Sequence, residues 1–142
     1  MAEENYAMPS VEAIMKRELP KLQEAINEKV AADAWAKANK KVTAIDGIGY
    51  ELPNRWGHVV GDSKKEARWK FIGNATEVMA DADEVWVSKK DGQSFKRYVK
   101  YYSGQPVVVS LPIDAPDDWT IWKGDDQQMR DNVRRGVLIV RK

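Results

Sequence analysis

After Asp81-Ala82-Asp83 the apolar residues stop recurring at helical spacing and begin to alternate, and they keep doing so almost to the C-terminus. A period of two places successive side chains on opposite faces of a strand, so this half of the chain is committed to a sheet. Glu84-Val85-Trp86-Val87-Ser88 reads as the first strand, and Lys89-Lys90-Asp91-Gly92-Gln93 as a hairpin turn with Asp-Gly at its tip. Residues 94–102 alternate as the second: Phe95, Arg97, Val99 and Tyr101 point one way, Lys96, Tyr98, Lys100 and Tyr102 the other. Gly104-Gln105-Pro106 turns the chain into Val107-Val108-Val109-Ser110-Leu111, whose continuous apolar run suits a central strand. Trp119-Thr120-Ile121-Trp122 is the next strand, residues 127–135 a polar insertion, and Gly136-Val137-Leu138-Ile139-Val140 closes the sheet. Short connections throughout imply an antiparallel meander.

Upstream the pattern is helical. Asp62 or Ser63 can cap a helix over residues 64–79, with Ala67, Phe71, Ile72, Ala75 and Met79 on one face. Gly73 weakens that helix without forbidding it. Ser10 is placed to cap a helix from Val11, and Val11, Ile14, Met15, Leu19, Leu22, Ile26 and Val30 recur at helical spacing. Pro20 should kink this run or split it, leaving a second helix over residues 21–40. Residues 42–57 change character, with Gly47, Gly49 and Pro53 marking turns around a short strand near Tyr50-Glu51-Leu52. The expected organisation is a helical arm (1–41), a connector (42–57) and an α+β domain (58–142): N-terminal helices, then a small curled antiparallel sheet of four to five strands. Whether the arm packs on the domain or mediates self-association stays open.

Composition removes several kinds of chemistry. Without cysteine there is no disulfide, thiolate metal site or cysteine nucleophile. Phosphate-loop, dinucleotide-binding and nucleophile-elbow motifs are absent. One histidine cannot supply the ligand sets of zinc hydrolases. The carboxylates Asp81/Asp83 and Asp114/Asp117/Asp118 could hold magnesium or calcium, but their place at turns favours capping. Apolar runs are strand-sized and the acidic start Met1-Ala2-Glu3-Glu4 lacks a signal's apolar core, so no membrane partner is expected. Net charge is only +1, yet residues 89–100 carry five basic groups and residues 130–142 another five. On one sheet, two such clusters could form a phosphate-binding face.

The ordered set of elements adds a more specific expectation. His58, a helix over 64–79, Asp83-Glu84-Val85-Trp86, Lys96-Arg97-Tyr98-Val99-Lys100, Val107-Val108-Val109 and Trp119-Thr120-Ile121 follow one another. In this order they resemble the phage-associated barnase–EndoU–colicin E5/D–RelE-like nuclease domains, found at the C-termini of Mu F-like head morphogenesis proteins or alone among phage and prophage genes. The resemblance covers residues 55–142 and leaves the arm uncovered.

What the resemblance implies is metal-independent RNA cleavage with no cofactor, in a bacterial host's cytoplasm or in a virion. RNA is then the partner, with an inhibitor protein or phage head proteins beside it. RNA supplies its own 2′-OH nucleophile, and the protein must add a base, an acid and groups that hold the phosphoryl charge. Carried over, His58 becomes the acid/base, Lys100, Tyr98 and Thr120 the other catalytic candidates, and Arg97, Lys96, Trp56 and Arg135 candidates for holding substrate. Alternation constrains the set. Tyr98 and Lys100 share a face and Arg97 points away, so Lys100 with Tyr98 is preferred and Arg97 stands second. Trp56, beside His58, is the tryptophan suited to stack on a base; Trp86, Trp119 and Trp122 read as packing. Carboxylates at 114–118 would repel a phosphate near Thr120 unless they loop away or pair with the arginines of the last segment. The competing expectations are a non-catalytic version of the fold serving a phage particle, and a nucleotide-modifying toxin on another α+β scaffold.

Overall fold

The computed structural model describes residues 8–61 and 67–142. The architecture is mixed α and β around a five-stranded antiparallel sheet: β3 (Glu84–Lys90), β4 (Gln93–Tyr102), β5 (Gln105–Pro112), β6 (Thr120–Lys123) and β7 (Val137–Arg141). Asp91 and Gly92 both take positive φ, 52° and 77°, the backbone a two-residue hairpin needs to match the strand twist. From β3 to β6 the chain is the expected meander. It then departs from it, for the order is β6-β5-β4-β3-β7. The last strand crosses back to pair with β3, and residues 124–136 form the crossover.

That crossover is ordered structure. A short helix Asp126–Gln128 is closed by a capping box with Asp125, and a wide turn follows over Met129–Val133. Met129 and Val133 are buried on the face of Trp86, Val99, Tyr101 and Val108, together with Val11 and Ile14 of α1 (Val11–Met15). The opposite face carries Val85, Tyr98, Tyr102, Val107, Val109, Leu111 and Ile121. It packs on Phe71, Ile72, Ala75, Val78 and Met79, most of them in or near a helix at Ala75–Ala80. Both faces are therefore covered in part, each by a different stretch of sequence.

The helical expectations hold less well. Ser10 does cap α1, accepting from the Ala13 amide at 3.1 Å. The second helix, α2, is only Glu28–Lys37, capped by Asn27. Residues 16–27 instead follow the body as an irregular strap. The Ser103 amide donates to the Pro20 carbonyl and the Ala25 amide to the Lys70 carbonyl, both at 2.8 Å. These long-range bonds satisfy the backbone that a helix would otherwise have closed on itself. Ile26, counted among the apolar stripe, is 88% exposed. The proposed cap Asp62 or Ser63 and residues 64–66 lie outside the described residues. Beyond them the expected helix is two 3-10 turns, Arg68–Lys70 and Ile72–Asn74, before Ala75–Ala80.

The connector forms a hairpin, β1 (Lys41–Thr43) with β2 (Gly49–Glu51), joined to the body by the Ile45 amide on the Met79 carbonyl at 2.9 Å. The arm packs on the domain rather than standing off it. Trp35 of α2 is 2% exposed, its indole N–H donates to the Asn54 carbonyl at 2.7 Å, and its ring lies 5.7 Å from that of Trp119.

Candidate functional site

A polar row crosses one face of the sheet. Register pairs Thr120 with Ser110, Ser110 with Arg97, and Arg97 with Trp86. Directly opposed residues project from the same face, here the face of Val99, Val108 and Trp122. With strands about 4.8 Å apart, the backbones of Arg97 and Thr120 are roughly 10 Å from one another. Arg97 donates from Nη1 to Ser88 Oγ at 2.6 Å and to the Asn132 carbonyl at 3.2 Å, while its buried Nε has no partner. No carboxylate pairs with it among the described residues. Burial pulls its pKa down, though a guanidinium keeps its charge regardless.

The β6 end of the row receives groups from earlier in the chain. Arg68 donates from Nη1 to Thr120 Oγ1 at 3.2 Å. The short helix α3 (Trp56–Val59), which carries His58, packs against β6. His58 is exposed, and its imidazole has no hydrogen-bond partner among the described residues. Arg55, at φ 47°, reaches the Asp117 carbonyl at 3.2 Å and Asp118 Oδ1 at 2.9 Å. The acidic stretch before Thr120 is thus countered by Arg55, not by the arginines of the last segment. Trp56, the first residue of α3, is partly buried against the core, which limits the ring surface it can offer a base.

The other face holds a different set. Tyr98 is fully buried, donates its hydroxyl to Asp46 Oδ1 at 3.0 Å, and lies 3.0 Å from the Tyr50 hydroxyl. Lys96 donates to Asp46 Oδ2 at 2.7 Å and to the Tyr50 hydroxyl at 3.4 Å. Burial first, then Tyr50 and Asp46, drives the Tyr98 pKa far up, so this phenol is neutral at any physiological pH. For Lys96 burial is the largest single influence and lowers the pKa, but Asp46 and Tyr50 together outweigh it and the net shift is upward. Lys100, 5% exposed, donates to Asp81 Oδ2 at 2.7 Å. Asp81 also accepts from Lys142, and Lys100 first, then Lys142, hold its carboxyl below the ordinary value.

Of the residues expected from sequence, the structure therefore brings Arg97 and Thr120 onto one face and sets the helix of His58 beside β6. It does not bring Tyr98, Lys96 and Lys100 to them; those sit under the helical layer with their polar atoms engaged. Arg135 lies on the crossover, exposed, donating from Nε to the Arg130 carbonyl at 3.3 Å. Sequence reasoning missed Ser110 and Arg68. Ser110 was visible as the polar interruption of an apolar strand; Arg68 carried no signal, because its role depends on a contact 52 positions away.

The Arg97 and Arg68 guanidinium groups and the Thr120 hydroxyl can hold phosphoryl oxygens through charge-assisted bonds, while Ser110 in the same row is buried. The exposed His58 imidazole is carried by a helix that contacts β6 and buries Val59 in the core of the opposite face. No protein-family model, no curated protein and no solved structure matches this chain.

Proposed function

We propose that the chain is a phage or prophage ribonuclease-like effector that cleaves RNA without a metal, at the row Arg97–Ser110–Thr120 on the face of Val99 and Val108. The observation that carries this reading is the row itself: an arginine with no carboxylate partner among the described residues, in line with the Thr120 hydroxyl that Arg68 grips. Arg97 and Arg68 hold the scissile phosphate, and Thr120 is a hydroxyl donor to its oxygens, with the buried Ser110 between them in the row. A bond forms between the ribose 2′-oxygen and phosphorus as the bond to the 5′-oxygen breaks. His58 takes the proton of the 2′-OH as the new bond forms and, as imidazolium, returns it to the leaving 5′-oxygen. Arg97 thereby replaces the pair Lys100 and Tyr98 that strand alternation alone had favoured.

A second reading has its own support. Tyr98 and Lys96 are committed to Asp46 and Lys100 to Asp81, so three of the eight expected site residues are spent on stability. The fold would then serve as a non-catalytic interaction module of a phage particle.

Purified protein incubated with total RNA in EDTA separates the two. Cleavage that persists in chelator, yields cyclic phosphate ends and is lost in His58→Ala and Arg97→Ala supports the first. RNA left intact by the native protein at high concentration overturns it in favour of the second.

A further inference from the structure

The polar row does not stop at Arg97. Trp86, the next residue along it, forms the floor of a hollow of about 290 Å³ whose other walls are Met8, Arg130, Arg134 and Arg135. Charge within this hollow is unbalanced. Arg134 is neutralised by Glu84, which it meets twice at 3.0 Å. Arg130 pairs with Glu12 at 2.6 Å, but both side chains are about half exposed, so this pair is weak and exchangeable. Arg135 has no carboxylate partner among the described residues and donates to the Arg130 carbonyl at 3.3 Å. Asn132, whose carbonyl holds Arg97, belongs to the same turn of the crossover as these arginines. The same stretch of the crossover, residues 130–135, therefore holds Arg97 through Asn132 and carries Arg130 and Arg135.

We infer that Arg130 and Arg135 form a second phosphate subsite, so that the protein binds a stretch of RNA backbone running across the strands from β6 toward β7. For its substrate class this rests on the RNA reading above; for its geometry it does not need cleavage. The span from Thr120 on β6 to Trp86 on β3 is three strand spacings, roughly 14 Å, more than one phosphate can bridge. A polymer gains from both subsites and a dinucleotide from the first alone. Glu12 is the internal counter-ion that the polymer displaces from Arg130.

The test uses full-length protein in EDTA and a fluorescent eight-nucleotide RNA with every 2′-OH methylated, which cannot be cleaved, beside a dinucleotide of the same chemistry. Fluorescence anisotropy is read at several salt concentrations. Arg130 and Arg135 are exposed, and a thermal melt confirms that Arg130→Ala/Arg135→Ala folds. The double variant should bind the eight-mer about tenfold more weakly, with the slope of log affinity against log salt shallower by about 1.4, the value for two lost contacts to a single strand. Its dinucleotide affinity should be unchanged, whereas Arg97→Ala weakens both ligands. Glu12→Gln should tighten the eight-mer. Eight-mer affinity and salt slope equal to the native protein's would overturn the subsite, as would failure of the native protein to bind the eight-mer. The expected binding pattern without cleavage of ordinary RNA would uphold the subsite while removing the nuclease reading.

Discussion

Arg134 grips both carboxylate oxygens of Glu84, Nε to Oε1 and Nη2 to Oε2 at 3.0 Å each, and through Nη1 holds the Pro9 carbonyl at 2.9 Å. Glu84, 2% exposed, also accepts from the Trp86 indole at 2.9 Å and the Tyr101 hydroxyl at 3.1 Å. One ion pair thus ties the N-terminal arm and the crossover to the first strand. Arg134→Met should destabilise by about 3–5 kcal/mol, because it leaves a buried carboxylate without its cation. Adding Glu84→Gln to that variant should recover part of the loss, as the charge goes while the amide oxygen still accepts from Trp86 and the amide N–H donates to the Tyr101 hydroxyl in place of the second carboxylate oxygen. Chemical denaturation of the two singles and the double measures the coupling; strictly additive losses would show that the pair is not the fastening described.

Gly136 and Gly92 both adopt positive φ, yet they should respond differently to alanine. A Cβ at Gly92 meets nothing within 4 Å, so only the left-handed backbone penalty of about 1–2 kcal/mol applies. At Gly136, φ 85°, a Cβ would fall 2.1 Å from the Val87 carbonyl oxygen and 3.0 Å from Ser88. Strand β7 could not close on β3 without the backbone moving. Gly136→Ala should lower the melting temperature well beyond Gly92→Ala and speed hydrogen exchange in β7. Equal melting shifts for the two would argue against this close approach.

Asp81 makes a pH-dependent contribution. Lys100 and Lys142 stabilise its ionised form in the folded protein, so its pKa lies below the ordinary value. Its stabilising effect is present at pH above the unfolded carboxylate value of about 3.9 and is lost as pH falls through the lower folded value. Asp81→Asn should therefore melt lower than the native protein at pH 7, and the two melting curves should converge as acid protonates the native carboxyl. Lys142→Ala should give a smaller effect of the same sign, since Lys142 is 43% exposed and Lys100 remains in place.

The sheet was legible in the sequence because alternation and the Asp91-Gly92 turn are local. Even the division of β4 into an Arg97 face and a Tyr98/Lys100 face follows from its period alone. Which of those faces stays open was not legible. It depends on the helix at Ala75–Ala80 covering one side and on α1 with the crossover covering only part of the other, arrangements set by contacts distant in sequence. The same limit explains residues 16–27. Their apolar spacing imitates a helix, but it arises from a strap whose backbone bonds go to Lys70 and Ser103. Strand β7 was recognised as a strand; its place beside β3 needed the crossover.

The two faces of β4 make opposite predictions for function. Tyr98→Phe removes a hydroxyl that bonds to Asp46 and Tyr50 inside a closed network, where Lys96 still satisfies the carboxylate. It should cost about 1 kcal/mol of stability and leave the protein's action on RNA within about twofold of native. His58→Ala, at an exposed position with no bond to lose, should leave the melting temperature unchanged and abolish cleavage. Together these outcomes assign the chemistry to the Arg97 face and the phenol to the core. If Tyr98→Phe abolishes cleavage while the melting curve barely moves, the reacting groups lie under the helical layer, and the row from Thr120 to Arg97 is not the site.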